Sequence, residues 1–155
     1  MVESFRAGFR GGVEKAAALG VEGIQAYATY GEFAPDNMTP AKIKDTLDIV
    51  HSHGLVFSAI CGDFCVGFAD PEKNKIYVEK SKRVLDLAKE LNCNVVTTHI
   101  GVIPEDTACE KYQTMLAALR ECGAYAASRG VTLAIETGPE RSTTLLRFIE
   151  SLGSE

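Results

Sequence analysis

Residues 131–140 read VTLAIETGPE. In an extended strand Val131, Leu133 and Ile135 project to one side and Thr132, Ala134 and Glu136 to the other. The apolar run is that of a strand buried on both faces, and Thr137, Gly138 and Pro139 break it. An acid at the end of such a strand is costly unless it is paired, coordinated or back in water. Parallel α/β folds place their ligand sites at the carboxyl ends of strands. Glu136 is therefore the first candidate functional residue. The pattern alone leaves open the plainer reading of a carboxylate that has left the sheet for solvent.

The rest of the chain frames this strand. With 155 residues and 46% hydrophobic residues, it has the size and apolar content of one globular domain, taken here as residues 1–155. The formal net charge of −5 disfavours a nucleic-acid partner, because phosphate binding needs clustered Lys and Arg. No apolar run approaches the roughly 20 residues of a membrane span, which argues against a membrane partner. The first residues carry no signal-peptide core. Cys61, Cys65, Cys93, Cys109 and Cys122 are odd in number and contain no CxxC pair, the usage of free cytoplasmic thiols. Cys61 and Cys65 lack a second ligand pair and make a poor metal site.

From the amino end, Val2–Phe5 reads as the last residues of a strand, and Gly8, Gly11 and Gly12 as a flexible loop. A helix follows over residues 13–19, then a strand over 21–28. Thr39 and Pro40 open the next helix as N-cap and first helical residue. His51 and His53 sit in its last turn as surface histidines. A strand over 55–61 ends in Gly62 and Asp63. Asp70 and Pro71 open a third helix, with Ile76, Lys80, Val84, Leu87 and Leu91 as its stripe. A strand over 94–100 ends at Gly101. The fourth helix buries Tyr112, Met115, Leu116, Leu119 and Cys122, and the strand bearing Glu136 comes next. A last helix covers 143–152.

One unit thus recurs: helix, cap, buried strand, glycine-containing loop. The caps at Gly20, Gly54, Asn92 and Gly130 are 34, 38 and 38 residues apart. A repeat of this length is the parallel βαβ unit with right-handed crossovers. An open doubly wound sheet fits the length. A closed (β/α)8 barrel needs about 250 residues, so the chain would be half to five-eighths of one. Aligning Gly101 with Gly138 favours the barrel, because His99 and Glu136 then occupy the same strand position. Val95, Thr97 and His99 share one face, as do Thr132, Ala134 and Glu136. The opposite faces, Val96 with Ile100 and Leu133 with Ile135, are apolar and suited to helices. Each strand then carries one coordinating or protonatable side chain at equal height, as barrel active sites require. A buried histidine bonded to a backbone carbonyl is the alternative for His99.

The segments AICGD (59–63), DPEKN (70–74), VVTTHIGVIPED (95–106) and AIETGPE (134–140) resemble the sugar phosphate isomerase/epimerase family, in the family's order. That family has a xylose isomerase-like TIM barrel, and the resemblance extends over nearly the whole chain. It implies that Glu136, at the end of the barrel's fifth strand, is a catalytic residue and ligates a divalent metal (Mn²⁺, Mg²⁺, Zn²⁺ or Co²⁺). It implies that His99, at the end of the fourth, lines the substrate site. The substrate would be a small sugar or sugar phosphate, with carboxylates moving a proton beside its carbonyl. The family's later Asp, His and Glu ligands have no counterpart here. The metal site is thus expected to be incomplete, the first barrel strand mostly missing and the strands after the fifth absent.

Two other functions compete. Apurinic-site endonucleases share the fold, but need a metal-binding histidine cluster and a basic face, which three histidines and an acidic balance do not provide. A half barrel serving as a structural or binding module is the other. An incomplete barrel leaves unpaired strand edges, which favours self-association into a homo-oligomer.

Overall fold

A computed structural model describes residues 1–153. After a 3₁₀ turn at Val2–Phe5 come α1 (Gly8–Ala18), β1 (Gly23–Tyr27), two 3₁₀ turns, α2 (Pro40–Ser52) and β2 (Val56–Cys61). Then follow α3 (Pro71–Glu90), β3 (Val95–Thr98), α4 (Glu110–Arg129), β4 (Thr132–Ile135) and α5 (Ser142–Leu152). The strands form one parallel sheet in the order β1-β2-β3-β4, with a helix in every connection. Sequential neighbours without a reversal of direction make this a segment of a barrel, not a doubly wound sheet.

Local chemistry starts and stops the helices. Thr39 Oγ1 accepts the Lys42 N–H, and Asp70 Oδ1 accepts those of Glu72 and Lys73, each cap followed by a proline at the first helical position. The four expected termination residues all adopt left-handed backbone: φ is 74° at Gly20, 70° at Gly54, 56° at Asn92 and 64° at Gly130. Apolar faces then meet on one side of the sheet. Val13, Val50, Ile60, Val84 and Val96 form one core, and Tyr112, Met115, Leu119 and Phe148 a second beneath α4 and α5. The other side of the sheet is more polar. There Gln25 Nε2 donates to Thr97 Oγ1 at 2.7 Å, reaching across β2.

Four expectations change. Val2–Phe5 is a 3₁₀ turn, not a strand. Val2 packs into α1, and the Glu3 carboxylate, not a neighbouring strand, accepts the Tyr27 N–H. Gly8, Gly11 and Gly12 belong to α1, not to a loop. Gly12 is needed there, because a Cβ would lie 2.5 Å from Val2 Cγ1. Of the expected α3 stripe, Val84, Leu87 and Leu91 are buried but Ile76 and Lys80 are exposed, and the helix also buries Asn74, Val78, Ser81 and Leu85. β4 is not buried on both faces: Thr132 is exposed and Leu133, Ala134 and Ile135 are half-buried. Its outer edge has no strand beside it among the described residues.

Candidate active site

The β3–β4 register pairs Val95 with Thr132 and Thr97 with Ala134. It continues past the strand ends, where the Glu136 N–H donates to Thr98 O at 2.9 Å. His99 and Glu136 therefore project from adjacent strands at one level, as the glycine alignment implies. His99 Nδ1 lies 3.7 Å from Glu136 Oε2, and both side chains are about half exposed at the carboxyl ends of the sheet. His99 is not the buried, carbonyl-bonded histidine of the alternative reading. His53 has that kind of bond, with Nδ1 2.9 Å from Ile49 O, and it lies with exposed His51 at the end of α2.

A third residue joins them. β2 pairs with β3 through Cys61 and Thr97, which brings Asp63 level with His99. Asp63 Oδ2 is 3.1 Å from His99 Nδ1, and the Asp63 side chain is only 13% exposed. The other carboxylate oxygen, Oδ1, accepts the Cys65 N–H at 2.8 Å. Sequence reading did not single out Asp63. The usable signal was its place two residues beyond the end of β2, which matches that of His99 beyond Thr97. Beside this group stand Tyr27, Cys61 and Cys65, and Tyr30 packs against Tyr27 with ring centroids 5.4 Å apart. Burial pushes the Cys61 thiol up, and the Asp63 and Glu136 charges add to this. The Tyr27 phenol is raised chiefly by Cys61 beside it, then by burial.

Carboxylate and imidazole suit a divalent ion in kind. In number they do not: among the described residues no group of three or more His, Cys, Asp or Glu could hold a metal. Asp63 and Glu136 both approach His99 at the same nitrogen, Nδ1, at 3.1 and 3.7 Å.

The family model described as xylose isomerase-like TIM barrel matches residues 13–155. The chain belongs to that family. A xylose isomerase domain protein from Planctomyces limnophilus superposes with a TM-score of 0.80 at 25% identity, over 90% of this chain and 54% of that one. A xylose isomerase-like TIM barrel protein from Mycobacterium smegmatis, in complex with magnesium, gives 0.74 at 16% identity, over 94% of this chain and 53% of that one. The D-psicose 3-epimerase of Clostridium cellulolyticum H10, solved with D-tagatose, gives 0.74 at 13% identity, over 94% and 55% respectively. The chain thus spans about half the length of these structures. No curated protein matches it at a significant level. Among the described residues no helix is long and apolar enough to cross a membrane.

Proposed function

We propose that this family member carries one side of the active site of a sugar or sugar phosphate isomerase or epimerase. The observation behind it is the juxtaposition of Glu136 and His99, 3.7 Å apart and open to solvent at the strand ends of a xylose isomerase-like fold. Glu136 is the general base: a carboxylate there can take the proton from the carbon beside a substrate carbonyl and return it. His99 binds a substrate hydroxyl. Glu136 is also the ligand this chain would contribute to a divalent ion (Mn²⁺, Mg²⁺, Zn²⁺ or Co²⁺). The described residues supply no full ligand set, so the chemistry assigned to this chain is the proton transfer alone. The magnesium bound by one relative and the D-tagatose bound by another support the reading. The unpaired cysteines support a cytoplasmic setting.

Exchange of the proton beside a ketose carbonyl in D₂O tests proton transfer without requiring a completed isomerisation. The chain should incorporate deuterium into D-tagatose faster than buffer, and Glu136→Gln should remove the excess. Mn²⁺ should broaden amide resonances nearest Glu136 in the wild type and not in Glu136→Gln. No exchange above buffer would refute the catalytic reading. The half barrel would then stand as a binding module, a second reading favoured because the described residues include neither a three-ligand group nor a strand beside β4's outer edge. The β4 edge, unpaired among the described residues, and the exposed Leu146 and Ile149 of α5 also support self-association.

A further inference from the structure

We infer that Asp63 is a positioning residue that fixes the tautomer of His99, so that His99 meets a ligand as a hydrogen-bond acceptor. The donor inventory comes first. An ionised carboxylate only accepts, so the 3.1 Å contact between Asp63 Oδ2 and His99 Nδ1 places the proton on Nδ1. Glu136 Oε2, 3.7 Å from the same nitrogen, acts in the same sense. In the neutral ring Nε2 is then left with its lone pair.

Asp63 is built to hold this arrangement. Its second oxygen is tied to the Cys65 N–H at 2.8 Å, and its side chain is 13% exposed against 49% for His99. That bond, from the N–H two residues on, is an Asx turn, and Cys65 itself sits at φ 59°, a left-handed conformation unusual for a residue with a side chain. Gly62, the residue before Asp63, is locked between β2 and β3, its N–H donating to Thr97 O at 2.8 Å. The carboxylate is therefore oriented from its own loop, and it orients the imidazole.

The consequence is a selection rule. An Nε2 lone pair accepts from a hydroxyl and offers nothing to a bare carbonyl or a fully ionised phosphate oxygen. On this reading His99 recognises a sugar hydroxyl, not the carbonyl or phosphate end of the substrate. This part rests on the proposed role of His99 at the sugar site; the tautomer itself does not.

Long-range ¹H–¹⁵N spectra of the labelled full chain at about pH 9, where histidine is neutral, read the tautomer directly. His99→Gln assigns the signal against His51 and His53. Wild-type His99 should be in the Nδ1–H form, and Asp63→Ala should shift it toward Nε2–H, the form favoured by free histidine. Binding of D-tagatose, followed by chemical shifts, should weaken about 5-fold in Asp63→Ala, the loss of roughly one hydrogen bond. A wild-type His99 in the Nε2–H form overturns the inference, as does a folded Asp63→Ala with an unchanged tautomer. Should Asp63→Ala fail to fold, the wild-type spectrum alone decides. An Nδ1–H tautomer in a chain that binds no sugar would uphold the positioning role and overturn the sugar-site reading.

Discussion

Replacing Gly62 with alanine ties the stability of the sheet to the geometry of the site. A Cβ at Gly62 would lie 2.9 Å from Val96 Cγ1 and 3.3 Å from Val84 Cγ1. Carbon atoms prefer about 3.5–4.0 Å, so the nearer methyl must retreat by more than half an ångström. Neither valine can do so easily. Val84 is 0% and Val96 2% exposed, and β-branched side chains are stiff at χ1. Overpacking of this kind costs about 1–3 kcal/mol. Removing a glycine from the unfolded chain offsets roughly 0.4–1 kcal/mol. The net expectation is a loss of about 1–2 kcal/mol, or about 3–6 °C in Tm for a chain of this size. Urea titration by circular dichroism measures it. Gly123→Ala is the control: the position is inside α4 with nothing within 4 Å of a new Cβ, so the change should stabilise by up to about 1 kcal/mol. Trimming the obstacle closes the test. In a Gly62→Ala, Val96→Ala double variant the two losses should be less than additive, with a coupling of about 1 kcal/mol. A Gly62→Ala protein as stable as the wild type, or strict additivity in the cycle, would refute the reasoning.

Two further outcomes are expected. In alkylation at about pH 8 followed by mass spectrometry, the buried thiols should resist, Cys122 most of all because burial pushes it up to about 11, while exposed Cys65 should react. The Asp63 carboxylate raises Cys65, so Asp63→Asn should increase its thiolate fraction at that pH and speed its labelling; an unchanged rate would contradict the contact. In sedimentation velocity, the chain should associate with rising concentration, and charges placed at Leu146 and Ile149 should weaken that association; a monomer across the whole range would reject it.

What the sequence determined by itself was what short-range chemistry controls. Left-handed backbone is cheap only for glycine or asparagine, so Gly20, Gly54, Asn92 and Gly130 declared the helix ends without reference to anything distant. Alternation along a strand likewise assigned His99 and Glu136 to one face, and matching glycines set them at one height. Tertiary structure decided the rest. Asp63 became part of the site only through the β2–β3 register, which depends on how closely Gly62 lets those strands approach Val96 and Val84. The glycines of α1 are poor helix formers, yet they are helical because Val2 packs where Gly12 has no side chain. The burial of β4 was beyond a pattern of apolar letters, since an apolar strand is buried only as far as neighbours are present to cover it. Its outer edge has no strand beside it among the described residues, and Thr132 faces water.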